Sequence, residues 1–167
     1  MSSHLKKIKD PARNRQKITV SVIGGHKAAP KVKKLAYNVG AIIARAGAVL
    51  VCGGLDGVMA SAAQGAQEAG GLTIGLLPGR KKSDANPYID IDIPTSIGYA
   101  PNAIVACSAD VIVALPGSHG TSSEICYGLV FGRPVIDLGE WKIDGMIRAK
   151  GLKEFEKALQ DITKDLP

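Results

Sequence analysis

Aromatic residues are scarce in this chain: one Trp, four Tyr and two Phe make up 4% of 167 residues. A core of stacked rings is excluded, and the basic clusters lack interleaved aromatics on which nucleic-acid bases could stack. Cysteine is equally thin. Cys52, Cys107 and Cys126 are odd in number, sit in apolar contexts and lack C-x-x-C spacing, which indicates neither a disulfide framework nor a zinc site and leaves them as small core residues. No apolar run approaches the roughly 18 residues needed to cross a bilayer. The polar, basic N-terminus has no secretion-signal core. The expectation is a cytoplasmic protein with no membrane partner and no bound metal of its own.

What the chain does have is glycine, 20 residues of it, with 46% apolar and 22% charged residues. Many tight strand-to-helix turns and close packing of small side chains follow from that balance, and both favour an α/β class. The length allows one well-buried domain and not two of ordinary size. The formal charge of +6 is unevenly spread. Residues 1–16 form a basic leader (Lys6, Lys7, Lys9, Arg13 and Arg15 against Asp10), read as solvated and disordered. Further clusters stand at Lys31, Lys33, Lys34 and at Arg80, Lys81, Lys82. The folded domain is expected over residues 17–167.

From residue 17 the chain repeats one pattern. KITVSVIGG (17–25) is a β-branched run stopped by paired glycines, the habit of a central parallel strand. Pro30 suits a first helical turn, and Val32, Leu35, Ala36, Val39, Ile42, Ile43 and Ala46 follow at helical spacing up to Gly47. AVLVCGG (48–54) is a second strand, with Asp56 placed to cap a helix whose inner side is nearly all Ala and Gly, predicting unusually close approach to the sheet. LTIGLLPG (72–79) is a third. Ile89, Ile91 and Ile93 alternate with Asp90 and Asp92, which reads as a half-exposed strand with its carboxylates towards water. A short helix over 99–109, a strand at 110–115, a helix over 121–132, a strand at 134–138 and an amphipathic helix carrying Leu152, Phe155, Leu159 and Ile162 complete the plan. Trp141 is expected to pack near the end of the sheet. Successive β-α units imply right-handed crossovers. The expected architecture is a single-domain, Rossmann-like three-layer α/β/α fold with a mostly parallel sheet of six or seven strands.

Ligands of such sheets bind at the carboxyl ends of the strands, where the winding reverses. Three glycine loops are candidates: Gly24, Gly25, His26, Lys27; then Gly53, Gly54, Gly57 with Met59; then Pro116, Gly117, Ser118, His119, Gly120, Thr121. A strand that feeds through small residues into a helix aims free backbone N–H groups and the positive end of the helix dipole at one spot, which suits a phosphate. Familiar alternatives fail. The first loop is not G-x-G-x-x-G and no acidic residue closes the second strand, against a dinucleotide site; there is no G-x-x-x-x-G-K-[ST]; Ser118 is not in a G-x-S-x-G elbow.

GGLDGVM at 53–59, GAQEAGG at 65–71 and PGSHGTSSE at 116–124 together closely resemble the group containing the LOG phosphoribohydrolases, often labelled "lysine decarboxylase-like". Within it the chain looks most like the small branch that includes molybdenum-cofactor carrier proteins and DprA/Smf-related relatives. The resemblance runs over about residues 17–138. It implies a nucleotide monophosphate or the molybdenum cofactor as ligand, and self-association as a dimer or tetramer. It also implies that Glu124 is the catalytic glutamate if the chain is a hydrolase releasing free base and ribose 5-phosphate. The arginine that such turnover uses is not matched: Pro101 stands at its place. Loss of a preorganised cation of that kind typically costs about 3 to 4 kcal/mol of transition-state stabilisation. The "lysine decarboxylase" label has no support, since no lysine sits in a pyridoxal-phosphate setting.

Each of these residues also has a plainer role. Thr121-x-x-Glu124 has the spacing of a capping box, with Glu124 satisfying backbone at a helix start. His26 and His119 are either ligand-facing or simply solvated; Asn102 either contacts ligand or caps its helix. Three functions stay open: a carrier for a phosphorylated small molecule, a nucleoside 5′-monophosphate phosphoribohydrolase, and single-stranded nucleic-acid binding through the basic leader.

Overall fold

Val20 and Val22 point to one side of the first strand, and Ser21 and Ile23 to the other; all four are buried. A strand buried on both faces has to be central, and so it is. In a computed structural model describing residues 17–98, 101–164 and 166, β1 (Thr19–Ile23) lies in the middle of a seven-stranded sheet. The basic leader, residues 1–16, lies outside the described residues, as do 99 and 100 at the expected start of the short helix. The chain continues through α1 (Pro30–Arg45), β2 (Val49–Cys52), α2 (Val58–Glu68), β3 (Thr73–Leu77), a 3-10 turn at Lys82–Asp84 and β4 (Ile91–Pro94). After these come α3 (Pro101–Cys107), β5 (Val111–Ala114), α4 (His119–Val130), β6 (Val135–Asp137), β7 (Ile147–Arg148) and α5 (Leu152–Lys164). Strand order is β4-β3-β2-β1-β5-β6-β7, and each adjacent pair is parallel. Winding runs outward from β1 to β4 and then restarts from β5 on the other side of β1. The reversal falls between β1 and β5.

Side-chain alternation divides the core into two layers. Val20, Val22, Leu50, Cys52, Val111, Val113 and Leu115 meet α1, α2 and the Phe155 and Leu159 face of α5. Ile23, Val51, Ile112 and Ala114 meet Val105 and Ala106 of α3 and Ile125 of α4. The three-layer α/β/α arrangement expected from the repeat of strand and helix is the one observed.

The alanine- and glycine-rich side of α2 serves its neighbouring helix. Gly40 of α1 and Gly65 of α2 face opposite backbones: a methyl group on Gly40 would overlap the carbonyl of Ala62, and one on Gly65 the carbonyl of Tyr37. The close approach is thus between α1 and α2, and it fixes how both helices lean over the strands that carry the first two loops.

Four local expectations need correction. Asp56 is exposed and does not cap α2; the N-cap is Gly57, whose φ of 71° is a left-handed conformation that a side chain resists. The alternation at β4 holds only in part. Ile89 packs against the core and Asp90 is exposed as expected, with its carboxylate accepting from the Thr73 N–H and hydroxyl, both at 2.9 Å, but Ile91 and Ile93 are exposed at the sheet edge and half-buried Asp92 pairs with Lys82 at 3.4 Å. Ala46 is exposed beyond the last turn of α1. Of the three cysteines, Cys52 is buried and Cys107 partly so, but Cys126 is exposed, because α4 buries only its Thr121, Ile125 and Gly128 side.

Helix propensity alone would make Gly65→Ala stabilising by about 1 kcal/mol. The clash with the Tyr37 carbonyl is expected to reverse that sign, giving a net loss of about 1–3 kcal/mol in urea unfolding. Gly151→Ala, where an added methyl meets nothing within 4 Å, should stay within about 0.5 kcal/mol of the parent.

Candidate functional site

The β1–α1, β2–α2 and β5–α4 loops leave the same edge of the sheet, and one residue ties them together. The Gly25 N–H donates to the Pro116 carbonyl at 3.0 Å, and the Gly25 carbonyl accepts from the Val58 N–H at 3.0 Å. The first orphan donor of α2 is thereby used by the neighbouring loop rather than by a side-chain cap. The second and third loops also have anchors of their own. Buried Asn86 donates its amide to the Gly54 and Leu55 carbonyls at 3.1 and 2.9 Å. The Trp141 indole N–H donates to the Leu115 carbonyl at 3.2 Å, just before Pro116. Trp141 is held in turn through its backbone N–H by the buried Asp137 carboxylate, which also accepts from the Gly139 N–H.

Between these loops lies a cavity of about 800 Å³. The first loop brings Gly24, Gly25, His26 and Lys27 to its wall. The second brings Gly53 and Met59, and the third Pro116, Gly117, Ser118, Gly120 and Thr121; Asn102 and Glu124 complete the group of expected residues there. Three others lie elsewhere: Gly54 and Gly57 shape the second loop behind the wall, and His119 opens α4 as an exposed side chain outside the lining. The apolar lining of Val32, Leu55, Leu76 and Val105 was not read from the sequence as ligand-facing. Its residues belong to the core pattern, and only the positions of their strands and helices bring them to the cavity.

The start of α4 is the strongest polar feature. Its N-cap is Ser118, in extended conformation and without a side-chain cap bond. The first-turn N–H groups of His119, Gly120 and Thr121 have no intrahelical acceptor by geometry and none among the other described residues. Asn102 fixes this turn, donating to the Gly120 carbonyl at 3.2 Å and to the Ser123 hydroxyl at 2.9 Å, while that hydroxyl donates to the Gly120 carbonyl at 2.7 Å. Thr121 is 3% exposed, and its hydroxyl has no partner among the described residues although the residue lines the cavity. Gly117 must lack a side chain, since a methyl there would collide with Thr121 and come within 3.0 Å of the Gly25 nitrogen.

Residues 17–165 match the SLOG cluster4 family. The chain belongs to that family. An uncharacterized protein of Archaeoglobus fulgidus is 42% identical over 119 residues, 71% of this chain and 78% of its own. The molybdenum cofactor binding protein of Rippkaea orientalis superposes with a TM-score of 0.84 at 34% identity, over 89% of this chain and 98% of that one. The molybdenum cofactor carrier protein of Chlamydomonas reinhardtii gives 0.83 at 31% identity, over 90% and 100%. The small LOG-like branch, close to molybdenum-cofactor carriers, is where the chain falls.

In this SLOG cluster4 chain Glu124 is not part of a capping box. Helix α4 starts two residues before Thr121, which places Thr121 inside the helix and Glu124 in its second turn. The Glu124 carboxyl has no hydrogen bond or ion pair among the described residues, and burial pushes its pKa up from 4.5 to about 8. Lys27 is the one Lys or Arg among the described residues lining the cavity, and it is exposed. Beneath the second loop the Cys52 thiol accepts from the Gly54 N–H at 3.4 Å, and burial pushes its pKa up to about 12, so it is inert as a nucleophile. Among the described residues no three of His, Cys, Asp and Glu group as metal ligands, and no helix is long and apolar enough to cross a membrane.

The folded chain keeps on Glu124 a proton that the unfolded chain releases above about pH 4.5. The stability this contributes is complete below that pH and drains away as pH rises towards 8. Urea midpoints of the parent should therefore fall relative to those of Glu124→Gln between pH 5 and 8.5, with the two variants converging at the acid end.

Proposed function

We propose that this protein binds and carries a phosphorylated small molecule, with the phosphate at the start of α4 and the rest of the molecule in the cavity. The observation that carries the reading is the first turn of α4, whose free N–H groups and unpartnered Thr121 hydroxyl open into a cavity of about 800 Å³ lined also by Lys27. A terminal phosphate there would gain charge-assisted bonds from rigid backbone donors. Gly117 and Gly120 leave the approach clear. The volume lies in the range of small-molecule sites, about 300–1,000 Å³.

The molybdenum cofactor is the sharpest candidate as cargo. Its pterin carries one terminal phosphate, and the proteins of Rippkaea orientalis and Chlamydomonas reinhardtii, named for binding or carrying that cofactor, share nearly the whole fold. Phosphate would meet the start of α4, the flat pterin would meet Val32, Leu55, Met59 and Val105, and His26 at the wall would face the metal end. A nucleoside monophosphate fits the same division into anion and flat ring.

Binding without turnover follows from the two charges that hydrolysis needs. Pro101 replaces the arginine, and a Glu124 that is mostly neutral at pH 7 offers little stabilisation to a developing positive sugar centre. Single-stranded nucleic-acid binding depends on residues 1–16, outside the described residues. Self-association belongs to the proposal through the outer side of α4, where Tyr127 and Phe131 stack with ring centroids 6.3 Å apart and Val130 is 79% exposed.

Native mass spectrometry of the purified protein is expected to show a co-purifying phosphorylated ligand, and calorimetry to show binding of a pterin phosphate or of AMP. Thr121→Val should weaken that binding about tenfold, roughly 1.4 kcal/mol, and Gly120→Val, whose first added carbon meets only the Asn102 amide at 3.7 Å, should weaken it further while leaving the fold intact by circular dichroism. Absence of binding to every phosphorylated probe sinks the reading. Free base released from AMP at high protein concentration, and lost in Glu124→Ala, replaces it with the hydrolase.

A further inference from the structure

Glu124 stands five residues into α4, roughly 7.5 Å along the axis from His119 at about 1.5 Å per residue. The helix dipole that favours an anion at the N-terminus fades within the first turn, so it does not offset the desolvation of this carboxyl. Nor does anything around it. On the β1–α1 loop the titratable groups lining the cavity are His26 and Lys27, both exposed at the wall. On the β2 side the neighbour is the buried Cys52 thiol, itself raised in pKa in part by the Glu124 charge. The second loop contributes Gly53, Leu55 and Met59, which carry no charge. On α3 Asn102 has already committed its amide N–H groups to Gly120 and Ser123. The carboxyl faces the cavity with no cation, donor or acceptor among the described residues to engage it.

We infer that Glu124 meets the bound molecule as a neutral carboxylic acid that donates a hydrogen bond to a ligand oxygen, and that ionisation of this side chain releases the ligand. The inference rests on the phospholigand reading and sharpens it. A carboxylate and a phosphate about one and a half helical turns apart in one cavity repel, so phosphate binding draws a proton onto Glu124. The part of the ligand lying there carries an acceptor, such as a ring carbonyl or a hydroxyl or ester oxygen, and not an ammonium, which would hold the side chain ionised. With ordinary desolvation and no cation, the same residue type that serves hydrolysis as an anion serves here as a donor.

The probe is cytidine 5′-monophosphate, which has both a phosphate and a ring carbonyl and whose base does not ionise between pH 7 and pH 9.5. Calorimetry between pH 7 and pH 9.5 is expected to show the affinity of the parent falling, approaching tenfold per pH unit once the proton is lost. Glu124→Gln, which keeps an N–H donor and cannot ionise, should show an affinity that does not change with pH over the same range, whatever its level at pH 7, and it retains His26 and Lys27. The ¹³C signal of the Glu124 carboxyl, assigned by its loss in Glu124→Gln, should titrate near pH 8 in the free parent and higher in the complex. Binding that is flat or strengthens with pH, or a midpoint in the ordinary carboxylate range, overturns the inference and leaves phospholigand binding standing. Failure of the monophosphate to bind at any pH overturns the inference, whereas phospholigand binding itself falls only if every phosphorylated probe fails.

Discussion

The backbone N–H and carbonyl of Gly25 make the contacts on which the geometry of this site depends. Its N–H reaches across the winding reversal to the Pro116 carbonyl, and its carbonyl reaches the first N–H of α2. Three loops that belong to different β-α units are thereby fixed relative to one another by main-chain bonds, whose lengths do not depend on rotamers. Parallel pairing of β1 with β2 and with β5 sets the loop roots at adjacent points, but roots alone leave loop tips free. A ligand grip built from backbone donors needs the tips fixed as well, and the Gly25 bridge, the Asn86 anchor and the Trp141 anchor each contribute to that.

Much of this could be read in the residues. Paired glycines after β-branched runs marked the first two loops, Pro30 marked the start of α1, and the succession of β-α units marked a parallel sheet. What escaped the reading has physical causes. Thr121-x-x-Glu124 has the spacing of a helix start, yet the helix begins at His119, because Ser118 turns extended and leaves Thr121 to pack under Gly117. Alternation at residues 89–93 placed Ile91 and Ile93 inward and Asp90 towards water; Asp90 is exposed, but Ile91 and Ile93 pair with Ile74 and Leu76 on the outermost strand, on the face covered only by α3 and α4, and stay exposed. Asn86, Asp137 and Trp141 act through contacts 26 to 32 residues away, or through a backbone turn, and no local pattern announces them.

The uneven cover of the two sheet faces has a related origin. Helices α1, α2 and α5 close one face, with small residues letting α1 and α2 nest, whereas the other face has only α3 and α4. Residues that would be buried under a further helix therefore stay at the surface: Ile91 and Ile93 at the β4 edge, Ile104 on α3, and Tyr127, Val130 and Phe131 on α4. These residues share the layer that carries Asn102, Thr121 and Glu124, so anything packing against that layer also bears on the cavity wall.

Gripping an anion and cutting a glycosidic bond make opposite demands on the charge beside the phosphate. A cradle of neutral backbone N–H groups binds a phosphate best when no other anion shares its low-dielectric surroundings. Hydrolysis through an oxocarbenium-like centre needs a carboxylate close by, and a cation to make that carboxylate tolerable. A chain that keeps the glutamate and places proline at the position of the arginine meets the first demand. With no cation near it, the half-buried Glu124 is pushed towards its protonated form, and under the phospholigand proposal the cavity would then lack the negative charge that weakens a grip on phosphate. On that proposal, proline where the resembling hydrolases have arginine would leave the glutamate without the cation that keeps it ionised.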